Sequence, residues 1–287
     1  MKKLEGLPKI IYLNSKHDQD RDKWIRNHFD SLNIKNYERY EKEYTTKDID
    51  EGLTKPQWLE LIGDDSINLN PENLRNTLDH YNAITKWFDT TDEDVCIIMD
   101  DIVDFSISKY WYFNWETFYN KLPYNWDCIQ LFVNSSNEQI RTYLHPWIST
   151  SRSTRCYMIT RQFAKKLKQL HYKDGKFHLY NGNKDRSHNE FDEGNIEVTL
   201  FDLGITYSCP LVSIKRDYVE SDELNVSLCR DRLSADAIKH YWENMSMIYS
   251  TEEFLSYGFD RDWKRVVTFD MKSEYVDTTK QKMLIWI

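Results

Sequence analysis

Val95-Cys96-Ile97-Ile98-Met99-Asp100-Asp101-Ile102-Val103-Asp104 is the stretch on which the fold turns. Its unbroken apolar run follows the acidic stretch Thr91 to Asp94 and predicts a short strand buried on both faces. Such strands deliver their last residues to the carboxyl edge of a sheet, where open α/β folds bind ligands. Two carboxylates there, Asp100 and Asp101, can share a divalent cation and anchor a phosphorylated ligand. A strand that merely runs into a solvated acidic turn has the same sequence, so the flanking segments decide between the two.

Before this stretch, Lys9 to Asn14 reads as a first strand, followed by an Asp-rich turn and a helix from Asp20 to Leu32. Tyr37 to Tyr40 is strand-like, and the polar region from Thr45 to Pro71 holds one short helical piece at Lys55 to Ile62. Pro71 starts a helix that carries Leu74, Leu78, Tyr81, Ile84 and Trp87 at helical spacing. After it come an aromatic helix from Trp115 to Leu122, a strand from Trp126 to Val133 and an edge strand from Arg155 to Ile159. Thr160 caps a basic amphipathic helix through Leu170. The segment from Lys173 to Asn195 is long, polar and rich in Gly, Asn, Asp and His, as functional loops are. Gly204 to Pro210 is expected to be the final strand, Lys215 to Leu233 a polar connection and Ser234 to Tyr249 a helix. Strands alternating with helices predict an α/β sandwich around a largely parallel sheet.

The chain has 287 residues, enough for a sizeable core, and 40% hydrophobic with 30% charged residues is a globular composition. A net charge of −9 opposes binding to bare nucleic acid or an anionic membrane surface, both of which favour a basic face. No window approaches the ~20 apolar residues of a membrane span, and the N-terminus has no sustained apolar stretch of the signal-peptide kind. Cys96, Cys128, Cys156, Cys209 and Cys229 are scattered, odd in number and without CxxC spacing, which predicts reduced thiols and a cytoplasmic protein. Aromatics reach 15%; sugar rings stack on such faces, but most aromatic side chains belong in cores.

Asn14 with Arg21, Tyr37-Glu38-Arg39-Tyr40, Asp79-His80, Met99-Asp100-Asp101, Tyr157-Met158-Ile159, Glu197 and Gly204 to Pro210, taken in that order, resemble glycosyltransferase family 25, which contains bacterial lipooligosaccharide galactosyltransferases and the collagen galactosyltransferases. The first strand ends at Asn14, and Arg21 follows seven residues later. Tyr37-Glu38-Arg39-Tyr40 resembles the family's Tyr-Glu-Arg-Phe strand, and Asp79-His80 its helical Ser-His pair. Met99-Asp100-Asp101 stands at the place of its Glu-Asp-Asp strand end. Tyr157-Met158-Ile159 leading into Ala164-Lys165-Lys166-Leu167, then Glu197 and Gly204-Ile205-Thr206-Tyr207-Ser208-Cys209-Pro210, complete the likeness, which spans Ile10 to Leu211. Three positions depart from the pattern: Met99 for the first acid, Asp79 for the Ser before His80, and Ser15 for a Leu after Asn14.

The resemblance implies a GT-A-like, Rossmann-type α/β/α sandwich with a mostly parallel central sheet over residues 1–214, and a helical extension, 215–287, packed on it. It implies a metal-dependent inverting hexosyltransferase that moves galactose or glucose from a UDP-sugar to an acceptor hydroxyl, as in lipopolysaccharide biosynthesis. Asp101 is the expected ligand of Mn²⁺ or Mg²⁺, which neutralises the leaving diphosphate. Asp100 is expected to take a catalytic and donor-binding part, with Asp104 within reach if the chain turns back. Asn14, Arg21 and His80 are expected to bind the donor, Asn14 at the base or ribose and Arg21 at the phosphates. Glu197, entering an apolar segment, is the expected general base, with Asp192 and Glu193 as alternatives. His188 in the long loop is a further conceivable ligand. Strand alternation puts positions 99 and 101 on one side, so Met99→Glu should be tolerated and restore an acid pair. An inactive nucleotide-sugar or glycan-binding protein on the same fold is the alternative, and a phosphoesterase using Asp100 and Asp101 a third, lacking the His/Asp clusters of two-metal hydrolases.

Overall fold

A computed structural model of the chain describes residues 2–42, 71–135, 139–173, 176–178, 196–219, 226–244, 250–255 and 266–268. The expected helical piece at Lys55 to Ile62, most of the loop from Lys173 to Asn195 and the end of the helix expected to reach Tyr249 lie outside these residues.

The core is a seven-stranded mixed sheet. Its strands are β1 (Lys9–Ser15), β2 (Tyr37–Lys42), β3 (Val95–Asp100), β4 (Cys128–Gln130), β5 (His145–Pro146), β6 (Cys156–Thr160) and β7 (Thr206–Ser208). They lie in the order β2-β1-β3-β6-β4-β7-β5. β2, β1 and β3 are mutually parallel, β6 runs against both its neighbours, β7 is parallel to β4, and β5 is antiparallel to β7. Five strands therefore share one direction and two oppose it.

All six residues of β3 are buried, and their alternation divides the core. Ile97 and Met99, opposite Ile10 and Tyr12 of β1, face one apolar cluster; Cys96 and Ile98 face another with Ile11 and Leu13. The first cluster takes Ile25 and Phe29 of helix α1 (Gln19–Ser31), Trp115 and Phe118 of α3 (Trp115–Asn120), and Ile238, Tyr241 and Trp242 of α6 (Val226–Asn244). The second takes Leu78, Tyr81, Ile84 and Trp87 of α2 (Pro71–Thr90), Phe163 and Leu167 of α4 (Arg161–His171), and Leu200 of α5 (Ile196–Phe201). Helices thus cover both faces of the sheet, an arrangement compatible with a Rossmann-like fold. Each fully buried large apolar side chain contributes about 1.5–3 kcal/mol, so these two layers dominate the stability.

Local sequence explains where the elements begin and end. Asp18 caps α1 by accepting from the Arg21 backbone N–H, and Asp20 and Asp22 lie in the first turn, where the helix dipole favours acids. Asn33, at φ 57°, stops the helix in the left-handed conformation that Asn tolerates. Thr160 caps α4 as expected, its hydroxyl accepting from the Phe163 N–H.

Three expectations are corrected. The strand after Arg155 is not an edge: β6 lies between β3 and β4 and pairs with both, which explains its apolar Cys156 to Ile159. β7 is not the last strand, because Ser213–Ile214 pairs with Val103–Asp104, and Val266–Thr268 with Gln139–Arg141. α6 starts at Val226 rather than Ser234, and Cys229 and Leu233, four residues apart, already line its buried face.

Candidate functional site

Because β1 connects to β2 on one side while β3 lies on the other, the carboxyl ends of β1 and β3 flank a topological switch point, the usual ligand crevice of such sheets. Asn14 near the end of β1 and Asp101 just after β3 meet there: Asn14 Nδ2 donates to Asp101 Oδ2 at 2.7 Å. The same Nδ2 is 3.1 Å from the Asp18 carbonyl, and Asn14 Oδ1 accepts from Arg39 Nε at 2.9 Å. Asn14 is 0% exposed with both polar atoms engaged. It orients Asp101, and the expected contact with a base or ribose is not open to it.

Arg21, in the first turn of α1, pairs with Asp18 at 2.9 Å, donates to the Tyr218 carbonyl at 3.0 Å and comes to 3.9 Å from Asp101 Oδ1. Arg21 therefore lies beside the acid that follows β3. Asp101 Oδ1 accepts no hydrogen bond among the described residues. Burial and the adjacent Asp100 push the Asp101 carboxyl above its ordinary range, against the opposing pull of Asn14, Lys42 and Arg21.

Asp100 points the other way and is an anchor. Arg155 Nη1 donates to its Oδ2 at 2.6 Å and Lys42 Nζ lies 3.6 Å from its Oδ1. Arg155 also donates from Nε and Nη2 to Asp231 of α6, and Asp231 accepts from Asn134 at 2.7 Å. Burial alone would raise the Asp100 pKa; Lys42 and Arg155 outweigh it and hold the carboxyl well below the usual carboxylate range. The expected catalytic part for Asp100 is thus not supported by its surroundings, since Arg155 and Lys42 already compensate its charge.

His80 lies inside, 1% exposed, with Nδ1 3.0 Å from the Tyr157 hydroxyl. Burial lowers its pKa to about 3, so the ring is neutral. The expected reach to a donor is not seen: α2 is buried around most of its circumference here, with Thr77 and Asp79 enclosed as well. Met99 is 0% exposed and packs in the first cluster, so it does not share a side with the exposed part of the site. The expectation that Met99→Glu is tolerated is reversed, because the chain leaves strand geometry after Asp100 and strand alternation no longer relates 99 to 101. Asp104 does turn back, but onto His28 at 3.4 Å and the Ser106 N–H.

Glu197, in the first turn of α5, accepts from the Ser153 N–H at 2.5 Å. Ser153, at φ 94°, is held further by Gln130 Nε2, which donates to its carbonyl at 2.9 Å. Gln130 ends β4, so Glu197 lies at the same carboxyl edge as Asp100 and Asp101, and its donor Ser153 is two residues of chain from Arg155. Asp192, Glu193 and His188 lie outside the described residues.

Arg39, Lys42, Arg155 and Asp231 complete the site and carry no signal of their own in the sequence; Arg39 alone falls within a quoted motif. Together with Arg21 and Arg26 they form a network of five cations and six carboxylates, the latter being Asp18, Asp22, Glu41, Asp100, Asp101 and Asp231. A bare diphosphate would meet no net positive charge there. A divalent cation bound with it would change that balance, and Asp101 Oδ1, with Arg21 3.9 Å away, is the oxygen suited to one, since Lys42 already lies on Oδ1 of Asp100. Among the described residues no group of three or more His, Cys, Asp or Glu forms a complete metal cage. The donor set fits a cation held by one carboxylate, Asp101, and completed by phosphate oxygens and water, as Mg²⁺ commonly is.

A cavity of about 680 Å³ lies elsewhere, beyond the amino ends of β1 and β2, among Lys2, Lys3, Lys35, Asn36 and Lys109. It contains none of the carboxyl-edge residues, and the convergent charges identify the carboxyl edge as the candidate site. All five cysteines are buried and free of disulfides. No helix among the described residues is long and apolar enough to cross a membrane.

No family model matches the chain, and no curated protein does. The solved structure of A197 from STIV is similar at 9% identity, covering 72% of this chain and 84% of that one, with a TM-score of 0.36.

Proposed function

We propose that the chain is a metal-dependent, inverting glycosyltransferase of the GT-A type, akin to glycosyltransferase family 25, moving galactose or glucose from a UDP-sugar to an acceptor hydroxyl. The observation that carries this reading is Asp101, held by Asn14 across the switch point with one oxygen free of hydrogen bonds and Arg21 beside it. Asp101 would hold Mn²⁺ or Mg²⁺ together with the donor diphosphate, and the cation would supply Lewis-acid stabilisation of the leaving group. Arg21 and Lys42, each about a quarter exposed beside these acids, would meet the phosphate oxygens. Glu197 would take the proton of the acceptor hydroxyl, a step that typically contributes ~10² to 10⁴-fold. The acceptor is a glycan, a protein or another hydroxyl compound; the acidic charge disfavours nucleic acid. Buried, unpaired cysteines accord with a cytoplasmic setting.

One observation favours a second reading, an inactive nucleotide-sugar or glycan-binding protein: Asp100 is already paired with two cations, and Met99 stands where the family has its first acid. Release of UDP from a panel of UDP-sugars with Mn²⁺ separates the two. Turnover supports the enzyme, whereas thermal stabilisation by UDP and Mn²⁺ without turnover supports the binding protein. Loss of UDP binding in Asp101→Ala, and loss of transfer with donor binding kept in Glu197→Gln, are the expected variant results. Absence of any UDP binding by the wild type sinks the enzyme and the nucleotide-sugar form of the second reading, and absence of glycan binding as well sinks the rest.

A further inference from the structure

Arg39 stands at the head of a hydrogen-bond chain that ends on Asp101. Its Nε donates to Asn14 Oδ1 at 2.9 Å, and Asn14 Nδ2 donates to Asp101 Oδ2 at 2.7 Å. A carboxamide can turn either its oxygen or its nitrogen toward a neighbour, and half a turn about its last torsion exchanges them. A guanidinium only donates. Facing Asn14, Arg39 can be met only by the oxygen, which leaves the NH₂ for Asp101. The flipped amide would set donor against donor at Arg39 and oxygen against oxygen at Asp101. Asn14 is 0% exposed, so burial makes both mismatches costly.

Arg39 is itself fixed. Its Nη2 donates to the Ser15 carbonyl at 3.3 Å, its Nε lies 3.6 Å from Asp22 Oδ1, and Nη1 lies 3.6 Å from Glu41. Asp22 in turn accepts from the Tyr12 hydroxyl at 2.7 Å and from Arg26 at 2.9 Å. The hydrogen bonds therefore run from Arg39 on β2, through Asn14 on β1, to the acid after β3.

We propose that Arg39 is a positioning residue of this site: by fixing the carboxamide of Asn14 it occupies Asp101 Oδ2 and leaves Oδ1 for a divalent cation that enters with a nucleoside diphosphate. This rests on the metal-dependent reading above. Arg39 touches neither cation nor nucleotide; it acts through Asn14.

Two substitutions separate this from a packing role. Arg39→Lys keeps an obligate donor, whereas Arg39→Gln keeps a stem of similar bulk but offers an amide that can donate or accept. Titration calorimetry of the full chain with UDP and Mn²⁺ should show a loss of about tenfold or more for Arg39→Gln, the scale of a hydrogen bond to a charged group, and a loss within about threefold for Arg39→Lys. In nitrogen-resolved NMR the Asn14 carboxamide protons should exchange with solvent faster in the Gln variant and not in the Lys variant. A packing role predicts equal losses in both variants and an unchanged Asn14 signal; that result overturns the proposal. If the wild type binds no UDP with Mn²⁺, the functional reading falls, and the Asn14 exchange rates alone decide whether Arg39 holds the amide. Should Arg39→Gln not fold while Arg39→Lys does, Asn14→Asp substitutes for it: it removes the Nδ2 donor beside Asp101, and wild-type affinity in that variant overturns the proposal.

Discussion

Asp100 and Asp101 are neighbours in sequence with opposite pKa shifts, because two close cations outweigh burial at one, whereas at the other burial and the adjacent acid outweigh an amide and the more distant Arg21. Met99, one position earlier, lies in a wholly apolar setting. Met99→Glu would bury an unpaired carboxylate, which costs on the order of 4 kcal/mol, a large part of the 5–15 kcal/mol of typical domains. Urea unfolding should show the loss, and a variant as stable as wild type would show that position 99 reaches solvent. His80 supplies a pH test. Its folded-state pKa of about 3 lies below its unfolded value near 6.5, so the unfolded chain binds a proton the folded one refuses. Stability is therefore fully present above pH 6.5 and falls as pH drops from there toward 3. His80→Gln should flatten that slope by up to about 1.4 kcal/mol per pH unit; an unchanged slope would mean that the ring protonates in the folded state. The acids after the strand were legible in the sequence because burial on both faces and a sudden pair of charges leave a local pattern. The commitment of Asn14 was not, because it is set by Arg39, 25 positions away in the chain.

The elements were easiest to read where periodicity and capping agree. β1, β3, α1 and α4 lie close to their expected bounds, since runs such as Ile10 to Leu13 and caps such as Thr160 are local signals. Strand direction and neighbours are not local, so β6 gave no sign of running antiparallel through the middle of the sheet. A central antiparallel strand also brings Arg155, which precedes it, to the carboxyl edge where Asp100 lies. Gly204, which precedes β7, tests how tightly the elements are packed. A Cβ there would come within 2.7 Å of the Phe163 ring on α4 and 2.9 Å of Asp127 Cβ. Gly204→Ala should cost about 1–3 kcal/mol, the range for overpacking a filled site, and thermal unfolding would report it. A melting temperature equal to wild type would show that Phe163 can move aside.

At the scale of the whole molecule, the C-terminal segment was expected to be an extension packed on a complete domain, and its described part is built into the core. Trp242 of α6 lies among Trp111, Phe113 and Phe254, 5.2 to 6.3 Å between ring centres, and its indole N–H donates to the Pro210 carbonyl at 2.8 Å. Phe254 belongs to α7 (Thr251–Leu255), whose last two residues, Phe254 and Leu255, are buried beside it. Leu233, Ala235, Ala237, Ile238 and Tyr241 join the same cluster as Ile97 and Met99. Asp231 binds both remaining faces of the Arg155 fork, so α6 also holds the cation that compensates Asp100. Removing residues 215–287 would expose that cluster and leave Arg155 without one of its two acids, and losing a single large aromatic from a core already costs about 3–5 kcal/mol. The truncated chain 1–214 should therefore lack near-ultraviolet circular dichroism and a cooperative melt, while the full chain unfolds in a single calorimetric transition. An appendage would behave otherwise: two separable transitions in the full chain, and a truncated form that retains the first of them together with any UDP binding. Trp242→Ala gives the same answer at finer grain, since a shared core predicts that the single unfolding transition moves to lower temperature by the cost of an emptied aromatic site, whereas an independent extension predicts that the transition of residues 1–214 is unmoved.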